Sequence, residues 1–150
     1  MDENVKAKLD AILKRDQEKQ AQAQEAQNKA KSDVKARQEQ WSKHVNRVFI
    51  PALQPITEML NQKGWICKIE QPKENTLTVV LYRGGMRGAS TSRPELQFRL
   101  DSLGKIWIQQ STPSVSRSDD DTHTFEDLTA QFVEQRTVAF IEALVADSNF

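Results

Sequence analysis

The sequence predicts an α+β fold: a long N-terminal helix, a short Pro-bounded helix, a four-stranded antiparallel β-meander, and a C-terminal helix packed on the sheet. Three observations carry this reading. Residues 1–50 contain neither Gly nor Pro, the apolar spacing changes to every second residue from Trp65, and helical spacing returns near Phe125.

The first element is rich in Ala, Gln, Lys and Glu, all good helix formers. Between Lys14 and Asp33 nothing is more apolar than Ala, so an isolated helix there buries almost nothing and needs a partner or frays. Ala23, Ala26, Ala30, Val34, Arg37, Trp41, Val45, Val48, Ala52 and Ile56 follow repeated steps of 3, 4 and 4. Eleven residues in three turns predict a nearly straight or slightly right-handed pairing. The competing reading is a solvated or disordered arm, which the Gln, Lys and Glu content also suits. Residues 1–40 are therefore expected to form a helical extension, coiled-coil-like or mobile, and residues 41–150 a single α+β domain.

Pro51 and Pro55 lie in FIPALQPITEML. Proline is cheap in the first turn of a helix, so a break near Ile50 and a second helix over about 52–62 are expected, closed by Gly64. A continuous helix kinked at this point is the alternative.

WICKIE, TLTVVLYR, ELQFRLD and KIWIQQS then alternate as strands. One face carries Trp65, Cys67, Ile69, Leu77, Val79, Leu81, Leu96, Phe98, Leu100, Ile106 and Ile108, which reads as core. Short connections at 72–75 and 102–104 predict hairpins and a strand order that follows chain order. The last helix is expected over about 125–146, with Thr124 and Asp127 resembling a capping box. Phe125, Leu128, Phe132, Ala139, Ala143 and Ala146 form its expected principal stripe. Further apolar groups, Val133, Val138, Phe140, Ile141, Leu144 and Val145, suggest cover on more than one side.

Composition narrows the function classes. The 150 residues hold 21 Lys+Arg and 21 Asp+Glu, which removes the broad phosphate attraction of a basic nucleic-acid binder. Nine basic and eight acidic residues in 1–40 argue against a nucleic-acid-binding tail. No apolar run is long enough to cross a bilayer and MDENVKAKLDAIL lacks a secretory core, so a cytoplasmic protein without membrane contact is expected. A single cysteine, Cys67, and two histidines, His44 and His123, supply neither a disulfide nor a zinc set, so no metal or cofactor is expected.

Two patches remain as speculative ligand sites. RGGMRGASTSR joins Arg83, Arg87 and Arg93 to three glycines, a mixture suited to an anion, but between two strands rather than before a helix. The second strand face offers Tyr82, Arg99 and Trp107, which could stack and neutralise single-stranded nucleic acid or meet another protein. The acidic run SRSDDDTHTFED lacks the ordered spacing of a calcium loop. No catalytic spacing is found, and Cys67 sits mid-strand on the core face. The expected function is a non-enzymatic protein-interaction or scaffold module, self-associating as a homodimer and presenting itself to an unidentified protein partner. Its interface is expected to use Ala23, Ala26, Ala30, Val34, Trp41, Val138, Ile141 and Val145. Binding of nucleic acid or a phosphorylated ligand through Tyr82, Arg83, Arg87, Arg93, Arg99 and Trp107 is the alternative.

Overall fold

Helical backbone runs from Glu3 to Gln62 in a computed structural model that describes residues 2–83, 93–116, 118–119 and 122–150. It comprises α1 (Glu3–His44), one π turn (Val45–Phe49) and α2 (Ile50–Gln62). Strands β1 (Trp65–Lys73), β2 (Thr76–Arg83), β3 (Glu95–Leu100), β4 (Ile106–Ser111) and the two-residue β5 (Ser118–Asp119) follow, and α3 (Ala130–Ala146) ends the fold. The expected α+β architecture is the one observed, with β5 added to the meander.

The chain divides into two compact units, Met1–Ala36 and Arg37–Phe150. Arg37 and Gln38, at the start of the second unit, reach the sheet hairpins: Arg37 Nη1 donates to Ser102 O at 2.7 Å and Gln38 Nε2 to Glu74 O at 2.7 Å. In unit 1 every described residue, Asp2 to Ala36, is exposed.

The expected break at Ile50 is absent. The Ile50 N–H instead reaches back five residues to Val45 O, and the widened turn delivers the chain to Pro51. Its effect on packing is large. Trp41, Val45, Phe49 and Leu53 are spaced by four, and in a regular α-helix each such step rotates the side chain by about 40°. Three steps would carry Leu53 off the core, whereas the π turn absorbs the drift and all four are 0–3% exposed. The expected continuation of the stripe through Val48 and Ile56 is corrected accordingly: both are only half-buried, and Phe49 and Leu53 take the core.

Sheet order is β1-β2-β3-β4-β5, each neighbour pair antiparallel. Leu77, Leu96, Phe98, Ile106 and Ile108 are fully buried on the predicted core face, where helices cover it. Cys67 belongs to the same core, and burial pushes its thiol pKa up while a hydrogen bond to Thr57 offsets part of that rise. Strand β1 lies at the sheet edge, where unpaired backbone groups invite further strands. Asn61 closes that edge in part, its Oδ1 accepting from Cys67 N at 2.9 Å and its Nδ2 donating to Cys67 O at 3.5 Å.

The C-terminal helix starts later than expected. Thr124 N donates to Asp127 Oδ2 at 3.1 Å, but this closes a separate turn. The functioning cap is Thr129, whose Oγ1 accepts from Phe132 N at 3.1 Å. The reason is tertiary: the Leu128 carbonyl, which a longer helix would give to Phe132, accepts instead from His44 Nε2 at 2.7 Å. A carbonyl can only accept, so Nε2 carries the proton. The buried stripe of α3 is Val133, Thr137, Phe140 and Leu144 rather than the predicted one. Ala139 and Ala146 are exposed, as are Val138 (45%) and Val145 (54%), so one side of α3 packs and the other faces solvent.

Candidate functional site

The predicted ligand residues are not gathered into one place. On β2, Arg83 falls on the core-side face, paired with Trp65, and its guanidinium lies over the rings of Trp65 (5.6 Å) and Phe150 (4.9 Å). Tyr82 and Arg99 share the opposite face but lie at its two ends, Tyr82 beside Ile66 and Arg99 beside Thr76. Six residues of strand separate them, about 20 Å. Arg93 is ion-paired with Glu70 and, at 3.6 Å, with Glu95. Arg87 lies outside the described residues.

Trp107 and Arg99 do meet, with the guanidinium 5.9 Å from the ring. Asp101 closes the group, accepting from Trp107 Nε1, Leu103 N and Lys105 N, each at 2.9 Å. Burial works to raise its pKa, but the bonds from Trp107, Lys105 and Leu103 and the charge of Arg99 together hold it below the ordinary value. A fixed carboxylate against the indole stabilises the β3–β4 turn and disfavours an incoming phosphate.

On the second face Thr76, Thr78 and Val80 are 1–3% exposed. In the cross-strand register Lys68 and Glu95 flank Val80, while Glu70 and Gln97 flank Thr78. Long polar residues thus stand beside the central strand on both neighbouring strands. Thr78 Oγ1 has no hydrogen-bond partner.

An open groove of about 600 Å³ lies between the chain after β4 and the end of α3, lined by Gln110, Thr112, Ser114, Val115, Ala143 and Asp147 among others. Its polar groups are bound to one another. Asp147 Oδ1 accepts from Ser114 Oγ at 2.6 Å and Asn149 N at 2.9 Å, Oδ2 accepts from Ser114 N at 2.9 Å, and Gln110 accepts from Arg136. The Ser114 hydroxyl foremost, with the Asn149 amide, holds the Asp147 carboxyl down to about 2. A depressed carboxylate stabilises the clamp above the ordinary carboxylate range and ceases to do so as pH falls through the folded value. The Ser114 and Asn149 amide resonances are therefore expected to titrate together with a midpoint near 2. Asp147→Asn should abolish that step; a midpoint near 4, the ordinary carboxyl value, would show the clamp does not hold the charge.

Catalytic and metal-binding constellations are sparse. Among the described residues no group of three or more His, Cys, Asp and Glu side chains is placed to hold a metal ion, and no helix is long and apolar enough to cross a membrane. His123 pairs its backbone with Ile106 and sets its ring 5.1 Å from that of Phe132, while His44 is committed to Leu128.

The predicted interface residues divide sharply. Trp41 is 2% exposed within its own core and is withdrawn from any intermolecular contact, and Ile141 packs partly against that core. Val138 and Val145 stay exposed on α3, and Ala23, Ala26, Ala30 and Val34 on α1. Unit 1 adds residues outside the predicted interface: Val5 (46%), Leu9 (43%), Ile12 (59%) and Leu13 (58%), all large, apolar and in water. Their signal is in the sequence, since Val5, Leu9 and Ile12 follow steps of four and three and share the face of Ala23 to Val34 at the helical period. No family model matches the chain, and neither a curated protein nor a solved structure is significantly similar to it.

Proposed function

We propose that the chain is a protein-interaction module that self-associates through unit 1. A single observation carries this reading: a helix whose every residue from Glu3 to Ala36 is exposed presents Val5, Leu9, Ile12, Leu13 and Val34 to solvent. A solitary amphipathic helix gains its stability from burying its apolar face, and nothing within its own unit does so. Unit 2, by contrast, contains the whole buried core, from Trp41 to Leu144, and needs nothing from residues 1–36 to complete it.

Light scattering after gel filtration tests the proposal. The full chain should run as a dimer at ~50 μM, because a specific obligate contact holds well below that concentration. A chain comprising residues 37–150 should run as a folded monomer. A monomeric full chain would overturn the reading, and a dimer surviving the deletion would move the interface to unit 2.

A further inference from the structure

We infer that two copies of this chain pair antiparallel along unit 1, with Val5, Leu9, Ile12 and Asp16 of each copy opposite Val34, Ala30, Ala26 and Ala23 of the other. The inference rests on the reading of unit 1 as the self-association surface and specifies how it assembles. Shape is its first support. The face of α1 formed at the helical period has large groups in its first half, Val5, Leu9 and Ile12, and small ones in its second, Ala23, Ala26 and Ala30. All are exposed. A parallel pair would set large against large at one end and leave the alanine half apart at the other. Antiparallel pairing places Leu9 and Ile12 over alanines and Val5 over Val34 at either end, and lets the helices approach evenly.

One register aligns the apolar residues of the face. Val5 with Val34, Leu9 with Ala30 and Asp16 with Ala23 fall at the same level simultaneously, and Ile12 lies within one residue of level with Ala26. In that register Glu3 of one copy is level with Ala36 of the second, so the paired stretch is coextensive with the part of unit 1 that is helical, about 50 Å. The spacing of 3, 4 and 4 keeps such a seam nearly straight over this length.

Charge supports the same direction. A parallel pair stacks Asp16 on Asp16 along the paired face, whereas the antiparallel pair sets the two about 10 Å apart. The antiparallel pair brings Asp16 of each copy within about one turn of Lys19 of the other, grouping two charges of each sign around the two-fold axis. It also sets Lys8 near Asp33 and Asp2 near Lys35 across the flanks. It creates two like pairs: Lys19 with Lys19 at the two-fold axis, where each is within about one turn of Asp16 of the other copy, and Lys6 with Lys31 at the outer margin, where water and salt screen it.

Site-specific cross-linking of the full chain tests this register. Cys67 is buried, so an introduced thiol is the reactive one. Leu9→Cys and Ala30→Cys are prepared separately and treated with a short bismaleimide. In the antiparallel register a residue at 9 or 30 stands about 30 Å from its own copy, so neither variant should cross-link alone. A subunit-exchanged equimolar mixture should give a covalent dimer up to about half of the protein, the statistical share of mixed dimers, and Val5→Cys mixed with Val34→Cys should do the same. Efficient cross-linking of Leu9→Cys alone would establish parallel pairing. A protein that scatters as a dimer without cross-linking in either mixture would overturn the register and leave self-association standing, whereas a monomeric mass would overturn both.

Discussion

Phe49→Ala is expected to destabilise unit 2 by about 3–5 kcal/mol, the range for truncating a buried phenylalanine. Phe49 is 0% exposed and stands where helix meets sheet, its ring 5.5 Å from Trp41, 5.4 Å from His44 and 4.9 Å from Phe98. Aromatic contacts of this geometry add about 0.5–1.5 kcal/mol to area burial. Because the π turn aims the ring, the surrounding backbone cannot easily close over the space left behind. A small domain has about 5–15 kcal/mol in total, so much of unit 2's stability rests on this residue. Urea unfolding followed by tryptophan fluorescence measures the loss, with Met59→Ala, 64% exposed on α2, expected to change stability by less than about 0.5 kcal/mol. A loss under about 1 kcal/mol for Phe49→Ala would contradict the packing described for the π turn.

The same turn shows where sequence patterning stops. Strands were legible because one face of the sheet carries the apolar core and a period of two has a single solution: Leu77, Val79 and Leu81 alternate with residues of the second face, and register follows. Phe49 and Leu53 were not, because a rigid period of 3.6 assigns the core to Val48 and Ile56, and only the widened turn moves it. The start of α3 was hidden for a different reason. Thr124 and Thr129 offer comparable caps locally, and the choice is made by His44, 84 residues away, which takes the Leu128 carbonyl. The exposed residues of unit 1 were legible in spacing, but a polar interval from Lys14 to Lys19 separates Val5, Leu9 and Ile12 from the alanines with which they share a face. Proximity among Arg83, Arg93 and Arg99 could not be read from their closeness in sequence, since alternate positions on strands face opposite ways.

The joint between α1 and the β3–β4 hairpin yields a second large effect. Gly104 and Gly64 both hold positive φ, +82° and +87°, where a side chain costs about 1–2 kcal/mol. Around Gly64 there is no atom within 4 Å of an added Cβ, so Gly64→Ala should cost the backbone strain alone. At Gly104 the Cβ would meet Arg37 Nε at 3.0 Å and Cδ at 3.2 Å. Arg37 must then move, and its 2.7 Å bond to Ser102 O weakens with it. Gly104→Ala is therefore expected to cost about 2–3 kcal/mol, strain plus a partly solvated charged hydrogen bond. A double-mutant cycle isolates the second part: in an Arg37→Ala background, Gly104→Ala should fall back to the Gly64→Ala value, a coupling of about 1 kcal/mol. Equal costs for the two glycines in the wild-type background would mean that Arg37 does not rest on the hairpin. A coupling of the expected size would establish that the hairpin holds Arg37, the residue at which unit 2 begins.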